Sequence, residues 1–149
     1  MEHILDIAAT LCIGLLIGTE FAVSAFINPV LEKLELSARV DATRRFARKL
    51  GTVMPFWYSF SLLLLVAESV ILRHGPALPF LVAASAIWVA VIILTLLFLV
   101  PINNRIVQMD PASFVDSLRH QHQKWDTLHR WRVLALCVAM TCMLIGIRL

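Results

Sequence analysis

LPFLVAASAIWVAVIILTLLFLV, residues 78–100, runs for 23 residues without one charged side chain. A helix needs about 20 predominantly apolar residues to cross the hydrocarbon of a bilayer, so this stretch predicts a membrane span. Just before it, Arg73-His74-Gly75-Pro76 has the composition of a tight turn. Before that turn lies a second apolar run, 53–72. Two spans joined by so short a connection must return antiparallel, as a helical hairpin. Working outward, the run 4–27 holds no lysine or arginine. It exceeds the apolar region of a secretory leader and lacks the basic start, so it is expected to remain as a span. The last run, 133–147, is short, but it reaches spanning length when its helix begins at Trp125, with Trp125 and Trp131 at the interface.

Composition agrees. Sixty per cent of the 149 residues are hydrophobic, more than a soluble domain of this size can bury. The expected architecture is an all-α four-helix transmembrane bundle in a single domain, residues 1–149. Its spans fall at about 4–27, 53–72, 78–100 and 125–147, with short amphipathic juxtamembrane helices in the basic connections. Ser37 offers a helix start in the first connection, which Gly51 and Pro55 are expected to close, and Asp110-Pro111 offers one in the third. Cys12, Cys137 and Cys142 lie inside apolar runs and form no Cys-x-x-Cys, as expected of buried reduced thiols.

The net charge of +3 comes from basic clusters beside the spans, so no nucleic-acid partner is implied. Lys33, Arg39, Arg44, Arg45, Arg48 and Lys49 occupy the first connection; Arg105, Arg119, Lys124, Arg130 and Arg132 occupy the third. The positive-inside rule places both in the cytoplasm. Both termini then face outward, in what is expected to be a bacterial inner membrane.

Polar residues inside spans are costly and mark sites. In the first span Glu20, Ser24 and Asn28 recur every four residues, opposite a stripe of Gly14, Gly18 and Ala22 that suits close helix packing. Glu68, one turn from the outer interface, is expected to snorkel to it. The third span ends in Pro101-Ile102-Asn103-Asn104-Arg105. The fourth opens with Trp125, His129 and Arg132 on one helical face. All these polar groups except Glu68 converge on the cytoplasmic half.

The helix ending in Asn28-Pro29, the motif Pro101-x-Asn103-Asn104-Arg105 and the motif Trp125-x-x-x-His129-x-x-Arg132 together resemble the anthrone oxygenase-like family of small four-helix membrane proteins. The resemblance covers nearly the whole chain. In the family's characterised branch it implies oxygenation of a polycyclic anthrone to a quinone by O2, without an organic cofactor. On that reading His129 is the base, Asn103 and Arg132 stabilise the oxyanion, and Glu20 orients the imidazole or relays its proton. Ser24, Asn28, Trp57, Asn104 and Trp125 are the candidates for holding the hydrophobic aromatic substrate.

Two other readings compete. His122, Asp126 and His129 share a face and are iron or copper ligand types, but His122 and His129 stand about 10.5 Å apart in helical rise, long for a mononuclear centre. A non-enzymatic membrane protein is the other: it would bind lipid or a hydrophobic ligand, or assemble with partner subunits, a homo-oligomer included, through the glycine stripe. A thiol-relay quinone reductase would need the missing Cys-x-x-Cys. A haem-b bundle would need facing histidines within the spans, and one intramembrane carboxylate is a thin ion path.

Overall fold

The computed structural model describes residues 2–108 and 115–149, and their side chains except those of 2, 106, 107 and 115–122. The described chain is all helical: α1 (Glu2–Ala22), a π-helical turn (Val23–Ile27), α2 (Asn28–Glu32), α3 (Leu36–Ile71), α4 (Leu78–Leu94), a second π turn (Thr95–Leu99), α5 (Val100–Gln108) and α6 (Val115–Gly146). Four continuous helices are long and apolar enough to cross a membrane: His3–Glu32, Leu36–Ile71, Leu78–Arg105 and Gln123–Gly146. The chain is thus a transmembrane four-helix bundle, with its fourth span beginning close to Trp125.

Both π turns have the same cause in the sequence. Each ends two residues before a proline, Pro29 in one case and Pro101 in the other. A proline inside a helix donates no hydrogen bond and its ring presses on the carbonyl four residues back. Widening the preceding turn relieves that crowding without breaking the span. Pro55 behaves differently, and corrects one expectation. Gly51 and Pro55 do not close a separate surface helix; α3 runs through both, from the basic first connection to the far end of the span. Neighbouring helices make proline tolerable inside a span. Nor does Ser37 cap this helix: Glu35 holds the cap position, without a side-chain bond. Asp110-Pro111 lies outside the described residues.

The spans form a ring in which α1 packs on α3, α3 on α4, α4 on α6 and α6 back on α1. Inside it Ile13, Leu16, Leu65, Leu81, Trp88, Leu136 and Met143 are fully buried. Outside it Leu15, Phe56, Leu63, Leu97 and others face outward, as a lipid-solvated bundle requires. Along α3, Tyr58, Ser61, Leu65 and Glu68 share the inner face at helical spacing. Glu68 therefore does not snorkel: it is only 1% exposed.

The glycine stripe also needs correcting. A Cβ on Gly14 would meet only the end of the Met140 side chain at 3.5 Å, and one on Gly18 would meet nothing within 4 Å. The close approach is at Gly146, where a Cβ would stand 3.1 Å from Leu81 Cγ and 3.3 Å from the Ala77 carbonyl oxygen. Gly146→Leu is thus expected to destabilise the bundle by about 1–3 kcal/mol through overpacking, while Gly18→Leu leaves it nearly unchanged. Chemical denaturation in detergent reads the difference, and equal losses at the two sites would remove the assignment of the contact.

Candidate functional site

One turn before the first π turn, α1 carries Glu20 into the centre of the ring, where it is 2% exposed. Three side chains from two other helices close on it. The Tyr58 hydroxyl on α3 donates to Glu20 Oε1 at 2.9 Å. Arg132 on α6 donates from Nη2 to Oε2 at 2.6 Å. One turn away on α6, His129 places Nε2 3.0 Å from the Glu20 backbone oxygen.

The tautomer follows from the donor inventory. Arg132 Nη2 also lies 2.8 Å from His129 Nδ1, and a guanidinium has only donors. Nδ1 must therefore accept, which leaves the imidazole proton on Nε2, donating to the Glu20 carbonyl. With both Nη2 protons used in this way, Glu20 and Arg132 form a charge-assisted pair inside the bundle and His129 ties both to the main chain. Trp125, one turn before His129, stacks on its ring with centroids 4.7 Å apart and planes within 10°.

A second set of contacts holds the cluster from the far side. Arg132 Nη1 reaches the Thr95 hydroxyl at 3.3 Å, and its guanidinium lies 5.7 Å from the Tyr58 ring centroid. The Trp88 indole N–H donates to the Tyr58 backbone oxygen at 3.1 Å. Thr95 opens the second π turn and Glu20 precedes the first, so the two widened turns face each other across the site.

The polar cluster forms part of the wall of a cavity of about 270 Å³. Most of that wall is apolar, from residues such as Val23, Leu50, Met54, Ile92 and Leu99, and Asn28, Asn103 and Thr43 add isolated polar groups. A cavity of this size falls just below the usual range for small-molecule sites, which suits a few fused rings rather than a two-chain lipid.

Of the residues read from the sequence, Glu20, Asn28, Asn103, Trp125, His129 and Arg132 line this one cavity. The Asn103 amide N–H is directed at the Ala47 carbonyl, 3.3 Å away. Asn28 donates to Asp126 Oδ1 at 2.9 Å, and Asp126 pairs through its other oxygen with Arg130 at 2.8 Å. Three candidates stand off the wall. Ser24 is buried outside it, and Asn104 is exposed. Trp57 directs its indole N–H to the Cys12 carbonyl on α1 at 3.1 Å. The His122 side chain lies outside the described residues. Among those described, no three histidine, cysteine or carboxylate side chains gather as a metal-holding group.

Tyr58 is the residue sequence reading missed. It is the chain's one tyrosine, set within an apolar span, and a buried phenol needs a partner. That need was the available signal.

No curated protein and no solved structure matches the chain at a significant level. A family model does match, over residues 43–142, a stretch that includes Tyr58, Thr95, Asn103, Trp125, His129 and Arg132. Since that match spans more than half of the 149 residues, on a four-span bundle of the expected kind, the chain belongs to the anthrone oxygenase family.

Proposed function

We propose that this protein oxygenates a flat, hydrophobic, anthrone-type aromatic in the cavity, by removing a proton from carbon and letting the resulting enolate react with O2. The observation that carries this reading is a buried carboxylate, guanidinium and phenol meeting at the wall of an otherwise apolar cavity. The balance is simple: a ring CH2 and O2 become a ring C=O and water. The proton leaves first, the enolate carbon gives an electron to O2, the radical pair joins as a carbon-bound peroxide, and loss of water leaves the carbonyl.

Which group takes the proton is a matter of free lone pairs. His129 spends both ring nitrogens on Arg132 and on the Glu20 main chain. A carboxylate offers about four acceptor sites, and Glu20 gives one to Tyr58 and one to Arg132. We therefore assign the base to Glu20 and make His129 a positioning residue, a change from the roles implied by family resemblance. Arg132, together with Tyr58, stabilises the enolate oxygen. Protonation of Glu20 weakens its hold on the Tyr58 hydroxyl, which can then turn to that oxygen.

The test is turnover of a hydroxylated anthrone by purified protein in vesicles, following quinone absorbance and O2 uptake together. One O2 consumed per quinone formed supports the reading. Binding of the anthrone without turnover would reduce the protein to a ligand-binding member of its family.

The orientation belongs to the same proposal, because it sets the leaflet that the cavity serves. By the positive-inside rule, the basic residues favour an orientation in which the α2 and α5 ends of their spans and the start of α3 lie at the cytoplasmic face. A reporter fused after Leu149 is accordingly expected outside the inner membrane, and one inserted near Arg44 inside. A cytoplasmic C-terminus would overturn the orientation.

A further inference from the structure

The cavity is not sealed on all sides. Glu20, Val23, Leu31 and His129, which α1, the first π turn, α2 and α6 bring to its wall, are buried. The lining residues Gly51, Pro55 and Ser59 of α3 and Leu96 of the second π turn are exposed. These four lie along one seam, between the second and third spans. On that seam α3 packs against α4 and against α5 but makes little contact with the π turn between them. The gap coincides with the widened turn caused by Pro101.

Its α3 edge is built from small side chains. Gly51, Pro55 and Ser59 recur every fourth residue and so stand above one another, over about 12 Å of helical rise. The Ser59 hydroxyl is turned back to the Pro55 carbonyl at 2.8 Å, which hides its polarity. On both sides the surface is apolar: Phe56 and Phe60 flank the opening on α3, and Leu97 and Phe98 follow Leu96. A water-facing mouth would carry charge here. This one is dressed for hydrocarbon.

We propose that the gap between Ser59 and Leu96 is a lateral window through which the ligand enters from within the membrane. The inference rests on the reading of the cavity as a site for a flat aromatic, and it narrows that reading. The substrate is a neutral, planar molecule already dissolved in the cytoplasmic leaflet, small enough for a cavity of about 270 Å³ that a two-chain lipid would overfill. The reaction that supplies it must therefore release an uncharged polycyclic product to the membrane, and the quinone formed leaves by the same route.

The experiment reads binding without turnover. Wild type and variants are reconstituted in vesicles and mixed with vesicles loaded with anthraquinone, an unreactive planar quencher, and tryptophan emission is followed; Trp125 lines the cavity. In the wild type the quenching rate should follow the mole fraction of anthraquinone in lipid, and fall when empty vesicles dilute it. Ser59→Phe, which fills the window from a surface position, should slow quenching roughly tenfold or more. Leu96→Ala should speed it. Leu15→Phe, on the lipid-facing side of α1 and off the cavity wall, should leave it unchanged. A Ser59→Phe rate equal to wild type, a rate that follows the aqueous rather than the membrane concentration, or no quenching at all would overturn the window. Window-dependent quenching in a protein that never oxidises an anthrone would sink only the oxygenase reading.

Discussion

Glu20→Gln is expected to lower anthrone turnover by roughly a hundredfold to ten-thousandfold, the usual contribution of a positioned proton acceptor. The substitution keeps the shape of the side chain and still offers Tyr58 an acceptor, so it should cost less stability than removing the side chain, but Arg132 loses its counter-charge and turnover is therefore compared per folded protein; what the chemistry loses is a site for the proton. His129→Gln makes the contrast. A glutamine amide can still donate to the Glu20 backbone oxygen, which His129 reaches at 3.0 Å, so this variant should retain far more activity than Glu20→Gln. The two assignments of the base thus predict opposite rankings. If His129→Gln is as dead as Glu20→Gln while Glu20→Asp keeps turnover, the imidazole takes the proton and the assignment to Glu20 fails. Tyr58→Phe should sit between them, losing one oxyanion donor but no base.

Much of the fold was legible because a bilayer tolerates few patterns. Apolar runs of spanning length, a four-residue turn between two of them and basic clusters beside the others leave a four-helix bundle as the simplest arrangement. The site was legible in outline for the same reason: Glu20, Asn28, His129 and Arg132 are polar groups in or beside spans, and such groups turn inward. Helical spacing correctly put Trp125, His129 and Arg132 on one face, and they meet in one cavity wall.

What escaped depended on distances between helices, which no spacing within one helix encodes. His129 suggests a base in isolation; Arg132, three residues further along α6, takes one of its nitrogens, and the other meets the Glu20 carbonyl only because of how α6 lies on α1. Gly14 and Gly18 carry the usual signature of close packing, yet the helix turns Gly18 outward and the tight contact falls to Gly146, where α6 ends against the start of α4. Glu68 sits near enough to an interface to snorkel, but the face it shares with Tyr58, Ser61 and Leu65 points into the ring. That last error could have been avoided: in an apolar helix, polar residues three, seven and ten apart define the inner face.

Arg132→Met is expected to cost about 3–5 kcal/mol of stability, the largest loss anticipated for any single change at the site, because it strips a buried carboxylate of its counter-charge. Glu20 would retain the Tyr58 hydroxyl, 2.9 Å away, but a phenol cannot neutralise it. His129 Nδ1 would stand 3.3 Å from Glu20 Oε2 with no guanidinium between them. The reciprocal change Glu20→Met leaves an unpaired guanidinium, and should be comparably harmful. Combining them removes both charges at once, so the double variant should recover most of the loss, short of the two hydrogen bonds that Tyr58 and His129 forfeit. Unfolding of the purified variants in mixed micelles measures the cycle. If the double variant is as unstable as the sum of the singles, the pair does not act as a unit and the electrostatic account of the cluster is wrong. If it is stable but inactive, stability and chemistry separate: the ion pair is then present for the enolate, and the fold only has to accommodate it.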